Sequence, residues 1–243
     1  MDAPHLIQNS LKIADYLHIS KKRWEIIFVE DGSADNTREI VVEAVAALTQ
    51  QGHSAKAIFH PVNMGRGKAV TDGILAARGA IVGFIDIDLE HMVDSLLSMI
   101  DKIARGHTDV VVGRRVIYNG IAKPIRVLCS HAYRALAHLV LDLPVSDTEC
   151  GLKVFNRKKI LPILELTKDR HWFWDTEVIH RAFTQGLRIE EHLILFVENP
   201  KKPSTVRLVP DVIAYLKAIF LYRASRGRDS CAIHSALKPI KKS

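Results

Sequence analysis

Short apolar runs alternate with longer segments of helical periodicity through the first half of the chain, and few folds accommodate this order. The apolar runs have the length of buried strands and lie at residues 24–29, 55–59, 80–86 and 110–112. Helical segments separate them, at residues 36–48, after the loop at 63–68 through about residue 77, and at 93–103, and an amphipathic helix at 5–17 comes first. A repeated strand and helix order predicts an α/β fold with a mostly parallel central sheet covered by helices.

The second half of the sequence is less regular. It predicts helices at about 125–141, from about 174 to 186 and at 208–222, strands at 152–155 and 193–197, and a basic turn at 157–159. We expect one α/β domain over residues 1–207, and an amphipathic helix with a basic tail over residues 208–243.

Three acidic residues follow the third apolar run at intervals of two. In extended chain, residues i, i+2 and i+4 point to one face, so Asp86, Asp88 and Glu90 can converge. Converging carboxylates are the oxygen ligands that Mg²⁺ and Mn²⁺ take, often while the ion also bridges to substrate phosphates. A solvated acidic strand end is the alternative, since an Asp-x-Asp pair is common by chance.

Polar turns follow two other predicted strands. Glu30 and Asp31 end the first, and the loop at 63–68 carries Gly65 and Gly67 and ends in Lys68. In open α/β sheets, ligands bind beyond the carboxyl ends of the strands, where these turns lie. A P-loop is excluded, because the four-residue gap between the glycines is missing and an alanine replaces the Ser or Thr that binds Mg²⁺.

The charge of the chain favours anionic partners. Lys and Arg exceed Asp and Glu by 34 to 27, giving a formal charge of +7 and a pI near 9.3. From Lys201 to the end, ten basic residues face two acidic ones, so this segment is a candidate for contact with phosphorylated ligands or an anionic membrane. The N-terminus lacks a signal-peptide pattern, and no apolar run reaches the roughly 18 residues that span a bilayer. Three widely spaced cysteines give neither a disulfide framework nor a zinc spacing, which favours a reducing compartment.

Several short segments carry a more specific pattern in their order and spacing. They read FVEDGSADNT at 28–37, NMGRGKAV at 63–70, GFIDIDLE at 83–90, VGRR at 112–115, DTECGLKVF at 147–155 and WDTE at 174–177. Together they resemble glycosyltransferase family 2, in particular its branch that transfers a hexose from a nucleotide sugar to a polyprenyl phosphate such as dolichyl phosphate. The resemblance runs through about residues 5–222 and implies the GT-A (Rossmann-like) fold.

The resemblance also implies roles for individual residues. The metal ligands would be Asp86, Asp88 and Glu90, although the family often has Gln where this chain has Glu90. The catalytic residues would be Asp86, Asp88 and Arg115. The nucleotide-sugar-binding residues would be Glu30, Asp31, Ser33, Asn63, Gly65, Gly67, Lys68 and Asp86. The acceptor phosphate would contact Arg115, Arg126 and Arg207. If the acceptor were a hydroxyl, Asp175 or Glu177 would be the base; a phosphate acceptor is already ionised and needs none.

The activity implied is metal-dependent, inverting transfer of mannose or glucose from GDP-mannose or UDP-glucose to polyprenyl or dolichyl phosphate, with Mg²⁺ or Mn²⁺ as cofactor. The resemblance favours a cytoplasmic protein that is peripheral on a membrane through its C-terminal basic segment, with no nucleic-acid partner. One departure matters: the family's first strand, with its Pro-x-x-Asn-Glu turn, should precede the helix at 5–17 and is not present. The alternatives are therefore a truncated, impaired relative that binds nucleotide or serves a partner, and a transferase that uses a hydroxyl acceptor.

Overall fold

The computed structural model describes residues 3–86, 93–118, 135–197 and 213–225. The described elements are α1 (Ala3–Ile19), β1 (Ile26–Glu30), α2 (Thr37–Gln50), β2 (Ala55–Phe59), α3 (Arg66–Ala76), β3 (Ile81–Ile85), α4 (Val93–Ala104), β4 (Val110–Tyr118), α5 (135–141), β5 (Leu152–Asn156), α6 (Arg157–Leu166), α7 (Trp174–Thr184), β6 (Ile189–Val197) and α8 (213–225).

The strands form two separate sheets. The first is a parallel pair, β1 and β2, and the second has the order β3-β5-β4-β6. Strand β5 runs antiparallel to both β3 and β4, whereas β4 and β6 are parallel along their whole length. The α/β class predicted from the sequence is confirmed, and the sheets are mixed because β5 enters in the opposite direction.

The chain divides into two compact units. The first comprises residues 1–121 and 144–201, and the second comprises residues 122–143 and 202–243. The described part of the second unit consists of α5 and α8, where the guanidinium of Arg223 donates a hydrogen bond to the carbonyl of Val140. The domain boundary predicted at residue 207 remains a prediction.

The core of the first unit lies around β4, β5 and α7. Residues 110–113 of β4 and 152–155 of β5 are buried without exception, which is the pattern of strands covered on both faces. The indole of Trp174 and the ring of Phe155 are among the largest fully buried side chains of this core. This core fixes the positions of the strand ends that carry the polar residues described below.

Local differences from the sequence-based expectations have simple causes. The predicted basic turn at 157–159 is wrong, because these residues form the first turn of α6, where the Asn156 side chain accepts a hydrogen bond from the amide of Lys159. Asn36 is the N-cap residue of α2, but its side chain makes no capping hydrogen bond. Instead the carboxylate of Asp35 accepts the amide of Thr37 at 3.0 Å, so the helix start is held by the preceding residue.

Candidate functional site

The polar residues that follow β1 and β3 meet at the loop between β2 and α3. One carboxylate oxygen of Asp31 accepts the amide of Met64 and the other accepts the amide of Gly65, both at 2.8 Å. At the next residue of the loop, Arg66 reaches the carboxylate of Asp86. The carboxyl ends of β1 and β3 therefore lie together, as the alternation of strands and helices predicted.

The glycines of this loop are required by close approaches. Gly65 has a φ of +102°, which side chains rarely adopt, and a Cβ there would lie 2.3 Å from the carbonyl oxygen of Arg170. A Cβ on Gly67 would lie 2.4 Å from the Cβ of Trp174. The two glycines therefore let the start of α3 pack directly on the segment that leads into α7.

A chain of polar contacts holds the loop between β2 and α3 in place. The buried imidazole of His60 lies 2.6 Å from Asp31 through Nδ1 and 3.0 Å from Asp72 through Nε2. The ammonium of Lys68 contacts both oxygens of Asp72 at 2.5 and 2.7 Å. Burial raises the pKa of Asp31, but hydrogen bonds from His60 and the two loop amides outweigh burial and lower it overall. Asp31 is thus held as a carboxylate that orders the loop.

Arg66 connects two acidic residues from distant parts of the sequence. One guanidinium nitrogen contacts both oxygens of Asp86, at 2.8 and 3.0 Å, and another contacts Asp175. The guanidinium also lies over the ring of Phe84, 5.2 Å from its centroid. Burial lowers the pKa of Arg66, but the charges of Asp175 and Asp86 raise it more, so the net shift is upward. The group is a fixed positive charge at the carboxyl end of β3.

A buried lysine, Lys153, contacts one of these two acidic residues, Asp175. The ammonium of Lys153 is fully buried, contacts Asp175 at 2.5 Å and donates to the carbonyl of Cys150 at 2.7 Å. Asp175 is itself only 3% exposed, and each of its two oxygens contacts a cation. The two oxygens with which Asp175 would accept a proton are therefore already in contact with Arg66 and Lys153.

Arg115, on β4, makes a two-pronged contact with Asp147. Its Nε and one terminal nitrogen donate to the two carboxylate oxygens at 2.8 and 2.9 Å. Asp147 is 2% exposed, whereas the Arg115 side chain is 25% exposed. The fork geometry fixes the plane of the guanidinium. Arg115 therefore presents an oriented, partly accessible positive group.

Glu177 organises the segment ahead of α7. Its carboxylate accepts the amides of Lys168 and Asp169 at 3.1 and 2.8 Å and the Nε of Arg181 at 2.7 Å. The side chain is 2% exposed. Its contacts hold the turn whose Arg170 carbonyl accepts the amide of Lys68 at 3.1 Å.

The structure brings together part of the predicted site. Within its described residues, Asp86 and the loop residues Gly65, Gly67 and Lys68 lie close to Asp31, and the amide of Ser33 donates to Glu30 at 2.5 Å. Asn63 lies in the same loop. The remaining predicted residues, Asp88, Glu90, Arg126 and Arg207, lie outside the described residues.

The side-chain chemistry of the predicted metal ligands suits a divalent cation. Among the described residues, no group of three His, Cys, Asp or Glu side chains forms a metal site. The Asp86 carboxylate is 36% exposed and holds a cationic group against both oxygens, so its position suits positive charge. With Asp88 and Glu90 it would complete a set of hard oxygen donors, which suits Mg²⁺ or Mn²⁺.

Sequence reasoning overlooked three residues of this arrangement. Lys153 interrupts an otherwise apolar buried strand, and a lone lysine in such a run signals a buried ion pair. Asp147 opens one of the matching segments but was given no role. His60 directly follows β2, a position from which a side chain reaches the carboxyl end of the neighbouring strand.

The family of the chain follows from comparison with known proteins. The family model described as "Glycosyl transferase family 2" matches residues 4–161. Glycosyltransferase AglD of Haloferax volcanii is 32% identical over 193 residues, which cover 78% of this chain and 30% of that protein. Dolichyl-phosphate beta-glucosyltransferase of Saccharomyces cerevisiae is 31% identical over 223 residues, which cover 82% of this chain and 67% of that protein. The chain thus spans less than a third of the first relative and about two thirds of the second.

Solved structures show the same fold. Glucosyl-3-phosphoglycerate synthase from Mycobacterium tuberculosis, in complex with Mn²⁺, UDP-glucose and phosphoglyceric acid, aligns with a TM-score of 0.56 at 15% identity and covers 87% of this chain and 83% of its own. Mannosyltransferase PcManGT from Pyrobaculum calidifontis, in complex with GDP-Man and Mn²⁺, aligns with a TM-score of 0.53 at 13% identity over 98% of this chain and 73% of its own. The GT-A fold predicted from the sequence is confirmed, and the chain belongs to glycosyltransferase family 2.

Proposed function

We propose that the protein transfers glucose from UDP-glucose to a polyprenyl phosphate of the dolichyl type, in one inverting displacement. The phosphate oxygen of the lipid forms a bond to the anomeric carbon as the bond from that carbon to UDP breaks. The choice of glucose and of a dolichyl-type acceptor rests on the similarity to the dolichyl-phosphate beta-glucosyltransferase of yeast, which aligns over most of this chain. Mannose from GDP-mannose is the competing donor.

The observation that carries the proposal is the junction of the glycine loop with Asp86. Asp31 holds the loop by two amide hydrogen bonds, and Arg66 extends from the loop to the carboxylate of Asp86. The junction combines backbone amides, a fixed guanidinium and an acidic strand end, which are the groups that a nucleotide diphosphate and its counterion require. Arg66 and Lys68 are the loop cations that would approach the diphosphate.

Asp86, Asp88 and Glu90 are the residues that would hold the metal ion. When bound, Mg²⁺ or Mn²⁺ supplies positive charge beside the diphosphate and so stabilises UDP as it leaves. Asp86 contributes a carboxylate at the end of β3, where the amide of Asp86 donates to the carbonyl of Gly151 at 2.8 Å and fixes the backbone. Asp86 thus combines a carboxylate that pairs with Arg66 and a backbone fixed by a hydrogen bond.

The contacts of the two candidate bases support a phosphate acceptor over a hydroxyl acceptor. Asp175 has Lys153 on one oxygen and Arg66 on the other, and Glu177 accepts two amides and a guanidinium nitrogen. Neither carboxylate has the exposure that proton transfer from an incoming hydroxyl requires. A lipid phosphate is ionised near neutral pH and attacks without a base, and Arg115 is oriented to bind it.

Helix α8 supports a peripheral contact with the membrane. Ile213, Phe220 and Leu221 are 60%, 57% and 61% exposed and share one face at helical spacing with Lys217. An exposed apolar face with a basic residue suits a helix that lies in the lipid interface. Within the described residues, no helix is both long and apolar enough to cross a bilayer.

The activity is tested by incubating the protein with Mn²⁺, dolichyl phosphate and radiolabelled UDP-glucose or GDP-mannose, and extracting the lipid phase. We expect labelled lipid from UDP-glucose and at least about tenfold less from GDP-mannose, a ratio equivalent to about 1.4 kcal/mol. The Asp86→Asn variant should form no lipid product, whereas Asp101→Asn, on the exposed surface of α4, should match the unmodified protein. Product from neither donor, or equal product from Asp86→Asn, contradicts the proposal.

The membrane contact is tested by flotation with vesicles of phosphatidylcholine and 30 mol% phosphatidylserine, a fraction of roughly the size that makes the surface attract basic segments. The protein should float with these vesicles, and the variant with Phe220→Ser and Leu221→Ser should not. Replacing Leu75, an exposed apolar residue of α3, by Ser is the matched control. Equal flotation of both variants would rule out the α8 contact.

A further inference from the structure

The three consecutive aromatic residues at 172–174 differ in exposure. Phe173 and Trp174 are 3% and 1% exposed, and Trp174 belongs to the core around α7. Trp172, in contrast, is 46% exposed. A single exposed apolar side chain is ordinary on a protein surface, so the role of Trp172 depends on the groups that lie beside it.

The indole of Trp172 lies beside the guanidinium that pairs with Asp86. The Cζ of Arg66 is 5.8 Å from the centroid of the Trp172 ring. A terminal nitrogen of the same guanidinium contacts both oxygens of Asp86, at 2.8 and 3.0 Å. One guanidinium therefore separates the exposed indole from a predicted metal ligand. Because a hexose is bonded directly to the diphosphate of a nucleotide sugar, the sugar of a donor bound at Arg66 lies within reach of the indole.

Hydrogen bonds hold the backbone on both sides of Trp172. The carboxylate of Asp169 accepts the amides of His171 and Trp174 at 2.8 and 3.0 Å. The carbonyl of Arg170 accepts an amide of the glycine loop at 3.1 Å. Tryptophan has only two side-chain torsions, so on a fixed backbone it loses little conformational entropy when a ligand contacts it. The turn thus presents a rigid aromatic surface beside the site.

The surface around the exposed indole is complementary to a hexose. The faces of a pyranose ring carry C–H groups, which pack on the electron-rich face of an aromatic ring, while the hydroxyls at its rim need polar partners. An indole has about 150–250 Å² of surface, so the 46% that Trp172 exposes is roughly 100 Å², enough for one face of a hexose. The exposed side chains of Arg170 and His171 precede it in the same turn and supply hydrogen-bonding groups.

Two other ligands stack on exposed indoles, a nucleobase and the lipid interface. In a nucleotide sugar a ribose separates the base from the diphosphate, so the hexose lies nearer than the base to a diphosphate held at Arg66. An indole in a lipid interface belongs to an apolar face, whereas Trp172 adjoins a guanidinium that is paired with Asp86 and Asp175. The contacts of Trp172 therefore favour the sugar.

We propose that the transferred hexose stacks on the exposed face of Trp172, while the diphosphate lies toward Arg66. The proposal rests on the proposed transferase function and adds the residue that recognises the sugar rather than the nucleotide. Trp172 favours the nucleotide sugar over the free nucleotide, which is the product, because only the donor carries a hexose.

The test compares the binding of a nucleotide sugar with the binding of its free nucleotide. Isothermal calorimetry in the presence of Mn²⁺ measures Kd for UDP-glucose and UDP, and for GDP-mannose and GDP. Trp172→Ala removes the ring, whereas Trp172→Phe keeps an aromatic face. Phe183→Ala is the matched control, because Phe183 is an aromatic residue of α7 that is 41% exposed.

We expect Trp172→Ala to weaken the binding of the nucleotide sugar by about tenfold and that of the free nucleotide by less than about twofold. Trp172→Phe should bind both ligands within about threefold of the unmodified protein, since it keeps a stacking face. The Phe183→Ala control should bind both ligands like the unmodified protein. If circular dichroism shows that Trp172→Ala does not fold, Trp172→Leu replaces it, because leucine keeps apolar bulk without an aromatic face, and the same two changes are expected.

Equal losses for the nucleotide sugar and the free nucleotide overturn the proposal, because the indole then acts by holding Arg66 or by stacking on the base. Unchanged binding of both ligands also overturns it. If the variant with unchanged binding no longer floats with the phosphatidylserine vesicles, the indole contacts the membrane instead. An unmodified protein that binds neither nucleotide sugar contradicts the proposed function as well, whereas the other two results contradict only the stacking on Trp172.

Discussion

Replacing Arg66 by Met should destabilise the protein more than an ordinary surface change, because Arg66 is the cation between Asp86 and Asp175. Asp175 is 3% exposed and would keep only Lys153 as its partner. Removing one member of a buried ion pair typically costs about 3–5 kcal/mol. Asp86 is 36% exposed, so solvent screens the Arg66–Asp86 ion pair, which contributes only about 0–1 kcal/mol to the free energy of unfolding. We expect a loss of about 3 kcal/mol in the free energy of unfolding, roughly a hundredfold in the folding equilibrium.

The measurement is urea unfolding followed by circular dichroism, with Arg105→Met as the matched control. Arg105 is 68% exposed and pairs with Asp101 one helical turn away, a contact worth about 0.5 kcal/mol or less. A double-mutant cycle with Asp175→Asn should give a coupling free energy above about 1.5 kcal/mol. Equal losses in Arg66→Met and Arg105→Met, or a coupling near zero, would refute the reasoning.

For Arg66→Met we also expect a gain in metal binding, in contrast to the loss of stability. Without the guanidinium on its oxygens, Asp86 should bind Mn²⁺ more tightly in the absence of nucleotide. The gain should be about 1 kcal/mol, or roughly fivefold in Kd, since the carboxylate is partly solvated. Isothermal calorimetry measures it, and weaker binding by Arg66→Met than by the unmodified protein would show that Arg66 does not compete with the ion.

Three further predictions concern other parts of the first unit. Gly67→Ala should cost about 2 kcal/mol in the free energy of unfolding, because the new Cβ would lie 2.4 Å from Trp174. Gly73→Ala is the control in the same helix: its new Cβ would lie 3.2 Å from Val29, and stability should change by less than about 1 kcal/mol. Equal losses in the two variants would contradict this. Asp147→Asn should raise the KM for polyprenyl phosphate by about tenfold, because Arg115 loses its oriented partner, and steady-state kinetics with an unchanged KM would exclude that role. The hydrogen bond from the Arg188 guanidinium lowers the pKa of Asp109 and outweighs burial, which raises it. The stabilisation by this carboxylate is therefore complete above about pH 4 and is lost as the pH falls through the pKa of the folded state. Asp109→Asn should therefore cost about 2 kcal/mol at pH 7, and the difference should shrink below pH 4 in urea titrations; a constant difference would argue against it.

The helices and strands of the first half were predicted well because the spacing of their apolar residues is unambiguous. β2 was predicted with its observed bounds, and α4 within one residue. The sequence could not predict the direction of β5, since an apolar strand has the same composition in either direction. Helix α6 was overlooked because Pro162 lies within its ten residues and its charged first turn resembled a loop.

The sequence indicated where the candidate site lies in the fold, but it did not indicate which side chains pair within it. The position of acidic residues after β1 and β3 follows from the fold, and so does their meeting with the glycine loop. The pairing of Arg66 with Asp175, 109 residues later, depends on the packing of α3 against α7, which periodicity does not encode. Likewise, periodicity did not indicate that the two oxygens of Asp31 accept the amides of Met64 and Gly65; its role in binding a ligand stays a prediction.

The central claim is tested most directly by one measurement, the formation of lipid-linked glucose by the purified protein. With UDP-glucose, Mn²⁺ and dolichyl phosphate, the unmodified protein should form the glycolipid, and the Asp86→Asn variant should form none. Glycolipid formed at equal rates by the unmodified protein and by the Asp86→Asn variant would contradict the account. So would the absence of labelled lipid from the unmodified protein with either UDP-glucose or GDP-mannose.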